Sequence, residues 1–334
     1  MTLHNDERLG ALTARRLLAT ASSLFLVSLG IVAGAGPASA AHVACGQTIL
    51  VSTVLDANIG PCGNGLTIGA DNITLDLNGF TITGNPTTGD GPGIEMEGQT
   101  GVTVKNGTVT QFDAGVAITG GSVNTVTAMN ILDNRGSFAT DFGDGIALFD
   151  SDRNTVTKNQ VRNNGPYSGI GLIVSDFNLI DSNQIVDNNQ SGTNTAGIRL
   201  ENIASQRRSS NNNAVTNNRV TNSGTFGIQL FGGSANNYVA FNLVVGNRLR
   251  GIPLFAGSTN NTIESNNLRS NGTDGIWVQG AAGIYGPASA NNILRNVSFG
   301  HTQFDLRDLN ANCGTNQWRG NQAATFTPPC TMNP

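Results

Sequence analysis

The chain repeats one short glycine-led motif across most of its length. Eight segments have the form Gly-apolar-x-apolar, and their glycines recur at nearly regular intervals. These glycines are Gly93, Gly115, Gly145, Gly169, Gly197, Gly227, Gly251 and Gly275. A period of roughly 20–50 residues is typical of solenoids and other repeat arrays, and every interval here lies within that range. The repeat therefore restricts the fold before any single residue is considered.

Two further phrases follow most of the glycine motifs, so each period holds three short strands. Both have the form Asn-x-apolar, as in Asn154-Thr-Val and Asn159-Gln-Val. Apolar residues alternate with others inside each phrase, which indicates strands, and no segment shows a sustained helical periodicity. Asn suits the corners between strands because it tolerates left-handed backbone angles and can stack in hydrogen-bonded ladders. The pattern predicts an all-β, three-sided parallel β-helix of roughly ten rungs, where a rung is one full turn of the coil.

These motifs resemble those of the secreted right-handed parallel β-helix proteins, in the broad pectate-lyase-like group that includes the NosD-type repeat proteins. The resemblance covers roughly residues 65–297, and the segment from Cys45 to Phe80 also looks like the usual start of such helices. It implies a single-stranded, right-handed coil that contacts polysaccharide. Parallel crossovers have a general right-handed bias, which agrees with that handedness. A repeat of this kind specifies a fold strongly and an activity hardly at all.

The N-terminal segment 1–40 has the features of an export signal. Arg15-Arg16 precede the apolar run Leu24–Ala33, and Ala38–Ala40 has the small-x-small form of a cleavage site. The run is too short to span a membrane, although an uncleaved anchor and twin-arginine export remain alternatives. We predict a secreted protein, cleaved near Ala40, with no membrane span in the mature chain. The predicted segments are the signal peptide (1–40), an N-terminal cap (41–64), the repeats (65–299) and a C-terminal cap (300–334).

Composition agrees with one exported solenoid domain. Charged residues make up 12% of the chain, about half the usual quarter, and 43 glycines exceed the average share. The formal net charge of −4 provides no basic footprint, so we predict no nucleic-acid partner. One uninterrupted repeat also argues against a division into two domains.

Four cysteines lie in two pairs at opposite ends of the mature chain. Cys45 and Cys62 are near one another in the sequence, and Cys313 and Cys330 have the same spacing. Four cysteines allow three pairings, and this placement favours two local disulfides. A solenoid exposes unpaired strand edges at both ends, so disulfides there would staple the two caps.

The sequence contains no recognisable metal site. His4, His42 and His301 are scattered, and no Cys-x-x-Cys motif is present. Calcium-binding nonapeptides of the Gly-Gly-x-Gly-x-Asp kind are also missing. We predict no metal and no cofactor, while calcium stays an alternative without support from a motif.

The glycine motifs predict an outward face that is rich in apolar side chains. Because the apolar pair of each motif points inward, the position between the two apolar residues and the position after them form a first and a second outward column that run along the coil. The second column contains Ile173 and three phenylalanines, and Trp277 lies beside it in the first column. Such a surface exceeds what a soluble solenoid needs, so we predict a platform for sugar rings, unless loops cover it or the strands rotate these side chains inward. The predicted substrate-binding residues are Phe149, Phe231, Phe255 and Trp277.

Longer periods mark insertions, and function often lies on such loops. The insertions are residues 134–144, 187–196, 201–212 and 279–291. Three of them frame the same part of the outward face, which predicts a cleft there.

Acidic residues on this face could support hydrolysis of a glycosidic bond, which needs two carboxyl groups roughly 5–10 Å apart. Glu95 and Glu201 are four rungs apart, or roughly 19 Å at the strand spacing, and fail this test. Glu95 and Glu97 lie roughly 7 Å apart on one strand and pass it. Asp90 and Asp113 could join them.

A second acidic group lies before Gly145, where Asp141 and Asp144 are two rungs from Arg199. An elimination reaction would instead need a base and a positive charge near a uronate, which Arg199, Arg207 and Arg208 could supply. For every carboxylate the simpler interpretation is a solvated charge at the edge of the coil. The candidate catalytic residues are Asp141, Asp144, Arg199, Glu201, Glu95 and Glu97.

Known catalytic motifs do not accompany these candidates. The segment from Asp141 to Asp144 faintly resembles the paired-aspartate strand of polygalacturonases, but Gly-His-Gly and Arg-Ile-Lys are absent. The Arg-x-Pro-x-x-Arg pattern of pectate lyases is absent as well. The sequence therefore favours a protein that binds polysaccharide or cell-wall glycan without cleaving it. The alternatives are a lyase or glycoside hydrolase that acts on an acidic glycan, and a structural or adhesive surface solenoid.

Overall fold

A computed structural model of the protein describes residues 39–85, 91–137, 143–190, 195–203 and 208–332, with side chains from residue 42 onward. These residues form short strands and two 3₁₀ helices, Ala311–Cys313 and Pro329–Met332. Most of the predicted signal peptide lies outside the described residues. Its last two residues belong to the first strand, Ser39–Ala41, so the predicted cleavage near Ala40 would fall inside that strand.

The strands of the described chain are short and follow one another around the coil. In chain order they are β1 (Ser39–Ala41), β2 (Thr48–Ile49), β3 (Thr53–Leu55), β4 (Ile59–Cys62), β5 (Leu66–Ile68), β6 (Thr74–Asp76), β7 (Thr81–Gly84), β8 (Pro92–Glu97), β9 (Thr103–Thr110), β10 (Ala114–Thr119), β11 (Thr125–Leu132), β12 (Ile146–Phe149), β13 (Thr155–Thr157), β14 (Gln160–Arg162), β15 (Ile170–Ile173), β16 (Leu179–Asp181), β17 (Gln184–Val186), β18 (Ala196–Glu201), β19 (Ala214–Thr216), β20 (Arg219–Thr221), β21 (Phe226–Leu230), β22 (Tyr238–Ala240), β23 (Leu243–Val245), β24 (Ile252–Leu254), β25 (Thr262–Glu264), β26 (Asn267–Arg269), β27 (Asp274–Val278), β28 (Asn292–Leu294), β29 (Val297–Phe299), β30 (Phe304–Asp308), β31 (Gln317–Arg319) and β32 (Phe326–Thr327).

The strands build a coil with three faces. The glycine motifs form the first face, a sheet of 12 strands in the order β2-β5-β8-β10-β12-β15-β18-β21-β24-β27-β30-β32. The other 20 strands cover the second and third faces, which merge because β9 and β11 each run across both. The first half of β11 pairs with β13 and its second half with β14, both in parallel. The predicted all-β, three-sided parallel β-helix is confirmed.

The core runs along the axis of this coil. In the first face, Ile146, Ile170 and Ile198 pair in register on successive rungs, and all three are buried. Each fully buried apolar side chain of this size contributes roughly 1.5–3 kcal/mol relative to exposure. Strands of the other faces alternate one buried residue with two more exposed ones, as β13 and β25 show. The inward residues thereby fix which side chains remain for the outer surface.

Asparagine ladders fasten the corners of the coil, as the sequence predicted. The Oδ1 of Asn178 accepts hydrogen bonds from the backbone and side-chain amides of Asn154, and its own side-chain amide donates to the carbonyl of Ser151. Every polar group of such a buried Asn thereby has a partner. The first ladder contains Asn124, Asn154, Asn178, Asn213, Asn237, Asn261, Asn291 and Asn316; the second contains Asn159, Asn183, Asn218, Asn242, Asn266, Asn296 and Asn321; the third has two stretches, Asn134, Asn164 and Asn188, then Ser223, Asn247, Asn271 and His301.

Both predicted disulfides are present, Cys45–Cys62 and Cys313–Cys330. The two cysteines of each pair have a sequence separation of 17, and closing a loop of that size is worth roughly 3 kcal/mol in the chain-entropy model. The coil also continues into both segments predicted as caps. Strand β2 pairs with β5 at one end, and β30 and β31 pair with β27 and β28 at the other. The N-terminal rungs lack both phrases, and at the C-terminal end Asn316-Gln-Trp318 has the Asn-x-apolar form but no glycine motif precedes it.

Candidate functional site

The first face presents the outward columns that the sequence predicted. Glu95 pairs with Ala117 on the next rung, and Arg199 pairs with Gln229 further along the same column. Pro253, Trp277 and Arg307 continue it toward the C-terminal end. Neighbouring positions in such a column are about 4.8 Å apart, so side chains two rungs apart can share one ligand.

Two of the four predicted stacking residues are buried, so their predicted exposure is wrong. Phe149 is 9% exposed, because it packs with Ile173, Val174 and Ile203 in a small apolar cluster. Ile203 follows β18 in the chain, so a segment leaving this face covers Phe149, which is one of the alternatives weighed above. Trp277 is 5% exposed.

Phe231 and Phe255 remain half-buried and belong to an aromatic strip with Phe226 and Trp277, in which Phe255 contacts the other three rings. The ring centroids of Phe231 and Phe255 are 5.3 Å apart, and those of Phe255 and Trp277 are 5.4 Å apart. Phe226 meets Phe255 edge-on at 5.5 Å. These separations lie in the favourable range for aromatic pairs, so the four rings brace one another.

A pocket of about 240 Å³ opens beside this strip. Phe231, Phe255, Gln279 and Tyr285 line it, together with Gly232, Ala256, Ala282 and Gly283. Tyr285 comes from the insertion 279–291, and its hydroxyl accepts a hydrogen bond from the side-chain amide of Asn202. Burial raises the pKa of Tyr285, so its phenol stays neutral. We call this the aromatic pocket.

Three of the predicted catalytic residues come together on the rungs before the pocket. The Nη1 of Arg199 lies 2.9 Å from Glu201 Oε2, and its Nη2 lies 3.5 Å from Asp144 Oδ1. All three side chains are buried, and the guanidinium lies 5.5 Å from the centroid of the Tyr167 ring. Gly171 makes room for this cluster, because a Cβ there would lie 2.9 Å from Asp144 Oδ1. The arginine thus occupies the space between the two carboxylates.

The remaining catalytic candidates that the structure describes do not join this cluster. Glu95, which is half-buried, and Glu97, which is exposed, lie on β8, four rungs from Arg199 along the sheet. Asp113 is buried, and its Oδ2 accepts a hydrogen bond from the backbone amide of Gly91. Arg208 forms an ion pair with Asp150. The last three candidates lie outside the described residues: Asp90, Asp141 and Arg207.

A second charged group, which sequence reasoning missed, lies at the other end of the aromatic strip. Arg250 Nε is 3.2 Å from Asp274 Oδ2, and Arg307 Nη1 is 3.7 Å from Asp274 Oδ1. The Arg250 guanidinium also lies 4.0 Å from the centroid of the Trp277 ring. Burial is the main cause that lowers the pKa of Arg250, and the nearby positive charge of Arg307 adds to it. We call Arg250, Asp274 and Arg307 the arginine cluster.

The sequence contains one feature that could have indicated this cluster, namely charged residues directly before the motif glycines. Arg250 and Asp274 each directly precede the glycine of a motif, as Asp144 does before Gly145. The outward columns predicted from the sequence begin after the glycine and so do not include this position.

A larger pocket, of about 490 Å³, lies at the edge where the chain enters the first face, whereas the aromatic pocket lies at the edge where the chain leaves it. It is lined by Leu132, Asp133, Arg162, Asn163, Asp187 and Gln190. Its walls are mainly polar and include the ion pair of Arg162 Nε with Asp187 Oδ2 at 3.6 Å. No aromatic ring is among these lining residues, so the pocket lacks a surface for stacking.

The described part of the chain has neither a candidate metal site nor a candidate membrane-spanning helix. It contains no group of three or more His, Cys, Asp or Glu side chains arranged to hold a metal ion. No helix in it has the length and apolar character needed to cross a membrane.

Comparison with known proteins places these features in a family context. The family model described as "Right handed beta helix region" matches residues 44–206 and 193–327. No curated protein matches the chain.

Solved structures of low sequence identity share the fold. A mutant of the periplasmic alginate epimerase AlgG has a TM-score of 0.54 at 16% identity, and the match covers 84% of this chain and 62% of the epimerase chain. The Dettilon tailspike protein has a TM-score of 0.53 at 17% identity, covering 81% and 53%. The alginate lyase from Paenibacillus sp. str. FPU-7 has a TM-score of 0.52 at 14% identity, covering 86% and 97%. The chain therefore spans about half of the tailspike and nearly all of the lyase.

Proposed function

The chain belongs to the right-handed beta helix family, and from this premise we propose that it binds polysaccharide through the aromatic pocket and the adjoining aromatic strip. The observation that carries the proposal is the arrangement of Phe231, Phe255 and Tyr285 around one pocket. Ligand sites of this kind combine apolar and aromatic walls with a few polar groups that fix orientation. Gln279 and the hydroxyl of Tyr285 supply such groups here.

The size of the aromatic pocket suits part of a glycan chain. Its volume of about 240 Å³ is smaller than the roughly 300–1,000 Å³ of sites for drug-sized ligands. We propose that it holds one sugar ring, while further rings lie along the half-buried Phe255 and the outer columns. A sugar ring has apolar C–H faces and polar hydroxyl edges, which match aromatic walls with polar groups at the rim.

The fold neighbours and the disulfides support this assignment. Two of the structures named above are an alginate lyase and an alginate epimerase, so their names refer to a polysaccharide. Disulfides persist mainly in exported proteins, and Cys45–Cys62 and Cys313–Cys330 staple both ends of the coil. We propose that the protein acts outside the cytoplasm on a cell-wall or extracellular glycan.

Catalysis by a lyase or hydrolase is the second candidate, because the cluster of Asp144, Arg199 and Glu201 lies close to the aromatic pocket. Glu201 is followed by Phe231 on the next rung, where the backbone amide of Phe231 donates to the carbonyl of Leu200. However, the three charged side chains are buried and pair with one another. A glycosidic oxygen needs access between an acid and a base, and here Arg199 occupies that space. Binding without cleavage is therefore favoured.

The test is a screen of the purified protein against neutral and acidic polysaccharides. Retention is measured by affinity electrophoresis, and reaction is measured as release of reducing ends and of unsaturated uronate. Retention without products supports the proposed function. Products would instead support the lyase or hydrolase. Absence of retention on every polysaccharide would contradict both and leave the structural or adhesive solenoid.

A further inference from the structure

We propose that the glycan is acidic and that Arg250 and Arg307 bind its anionic groups. This inference rests on the proposed function, because it assigns a ligand class to the same face of the coil. It places a second contact region at the far end of the aromatic strip from the aromatic pocket.

The arginine cluster carries more positive than negative charge. Two guanidinium groups share the single carboxylate of Asp274, which leaves one positive charge uncompensated within the cluster. Asp274 is fully buried, whereas the side chains of Arg250 and Arg307 are 24% and 29% exposed. The positively charged guanidinium groups are therefore accessible to a ligand, whereas the carboxylate that pairs with them is not.

Hydrogen-bonding capacity also remains unused in the cluster. Arg307 Nε, Asp274 Oδ1 and the hydroxyl of the adjacent Thr273 are buried and have no hydrogen-bond partner among the described residues. Arg307 Nη1, in contrast, donates to Gln303 Oε1 at 3.1 Å. Buried polar groups of this kind are normally paired, and an exception requires an explanation, for which a bound ion or ligand is one candidate. Guanidinium groups match carboxylate and phosphate geometry because their donors lie in a planar fork.

Other paired arginines of the described chain lack this surplus. Arg199 lies between two carboxylates. The positive charge of Arg208 is stabilised first by its hydrogen bond to Asp150 and also by two further aspartates, which together raise its pKa. In the arginine cluster two arginines share one carboxylate, and the charge of Arg307 adds to the burial that lowers the pKa of Arg250.

The cluster is continuous with the aromatic strip. Arg250 lies over Trp277 at 4.0 Å, and the Trp277 ring lies 5.4 Å from Phe255. Phe255 in turn contacts Phe231 at the wall of the aromatic pocket. A glycan chain that follows the strip from the pocket therefore reaches two partly desolvated guanidinium groups, where charge interactions are stronger than in bulk water.

The first test changes only the ligand. Alginate, polygalacturonate and hyaluronan are each compared with their carboxyl-reduced, neutral counterparts by affinity electrophoresis at low and high salt. We expect carboxyl reduction to weaken binding about tenfold or more, a change of about 1.4 kcal/mol in binding free energy. Added salt should weaken binding of the acidic polymer only. Equal binding of a polymer and its neutral counterpart would overturn this inference and leave the proposed function intact. Absence of binding to all six polymers would overturn both.

The second test changes the protein. Arg307→Gln should weaken binding of the acidic polymer about tenfold and leave binding of the neutral polymer unchanged. Phe231→Ala should weaken both, because it removes a wall of the pocket rather than a charge. Arg269→Gln is the matched control, since Arg269 also stacks on an aromatic ring, Phe299, but on the third face. This control should bind the acidic and the neutral polymer as tightly as the parent protein does.

Stability is checked by circular dichroism, because Asp274 is buried and depends on its partners. If Arg307→Gln does not fold, Arg250→Lys is used, since it keeps the charge beside Asp274 and removes the planar fork. It should lose part of the preference for acidic polymers. Full retention of that preference in every folded variant would overturn the role of the two arginines.

Discussion

The guanidinium of Arg250 lies 4.0 Å from the centroid of the Trp277 ring, and this contact joins the charged and aromatic parts of the candidate site. A cation this close to an indole face is stabilised by about 0.5–2 kcal/mol, depending on its exposure. Trp277 is consequently covered by Arg250 and is not itself a bare stacking surface. A ligand that contacts Arg250 should therefore change the environment of the Trp277 indole.

We predict that glycan binding changes the intrinsic fluorescence of the protein through Trp277. The chain has two tryptophans, and the other one, Trp318, is buried near the C-terminal end and donates to Asp308. A ligand that pulls Arg250 off the ring changes the environment of Trp277 alone. Titration with a bound polysaccharide should alter emission of the parent protein. Trp277→Phe should abolish that response, and a response that persists in this variant would contradict the prediction.

The asparagine ladders should be a main source of stability. Asn218 Oδ1 accepts the backbone and side-chain amides of Asn183, and its own amide donates to the carbonyl of Ile180. Asn218→Ala leaves these buried groups unpaired, at about 1–3 kcal/mol for each unsatisfied group. Chemical denaturation should show a loss of about 3 kcal/mol or more in the free energy of unfolding.

The control for this variant is Asn267→Ala. Asn267 is exposed on β26, and its side chain accepts a hydrogen bond from Arg269 on the same strand. Surface changes of this kind are usually within about 0.5 kcal/mol of neutral. Equal destabilisation of the two variants would show that the ladder has no special role.

His301 makes the end of the third ladder sensitive to pH. Its Nδ1 accepts the backbone amide of Asn271 at 3.0 Å, which requires that this nitrogen carry no proton. Burial lowers the pKa of His301 below its ordinary value, despite the nearby carboxylate of Asp305. The unfolded chain therefore binds a proton at higher pH than the folded chain does. The stabilising contribution is complete above about pH 6.5 and is lost as pH falls through the folded-state pKa.

His301→Asn tests this dependence. Asn can accept the same backbone amide, as it does elsewhere in the ladders, but it does not titrate. Denaturation midpoints measured at about pH 5 and about pH 7.5 should differ more in the parent protein than in the variant. An unchanged difference between the two midpoints in His301→Asn would assign the pH dependence to other groups.

The coil itself was predictable because its determinants are local and repeated. A motif such as Asn154-Thr-Val carries its own corner residue and its own inward apolar residue, and the next rung repeats both. Parallel stacking then follows, together with the ladders. The disulfides were predictable for a similar reason, since Cys45 and Cys62 are near in sequence and flank the exposed end of a solenoid.

The candidate site was less predictable because it depends on residues from separate rungs and insertions. Nothing near Phe149 in the sequence shows that Ile203 covers it. The wall that Tyr285 adds to the aromatic pocket likewise comes from an insertion two rungs beyond Phe231. The alternation of inward and outward side chains also breaks at the glycine of each motif. Asp144 and Asp274, which directly precede that glycine, therefore reach the arginines of the outer face from positions outside the predicted columns.

Phe149→Ala should affect stability and not binding. The side chain packs with Ile173, Val174 and Ile203, and it exposes only 9% of its surface. Replacing a buried Phe by Ala typically removes about 3–5 kcal/mol, and a small peripheral cluster such as this one should lie near the lower value. Thermal or chemical denaturation measures the loss. The folded variant should bind polysaccharide as the parent protein does. Weaker binding would show that Phe149 is part of the binding surface.

Phe231→Ala should weaken binding and reduce stability only slightly. Phe231 is half-buried at the wall of the aromatic pocket and contacts Phe255 at 5.3 Å between ring centroids. Central aromatic side chains commonly contribute more than about 1 kcal/mol to binding, so retention should weaken about tenfold. Phe241→Ala is the matched control, because Phe241 is also a surface phenylalanine but lies at the corner between the second and third faces. If the two variants bind polysaccharide equally well, the aromatic pocket is not the binding site. A selective loss of binding in Phe231→Ala, with only a small change in the denaturation midpoint, would locate glycan binding on the first face of the coil.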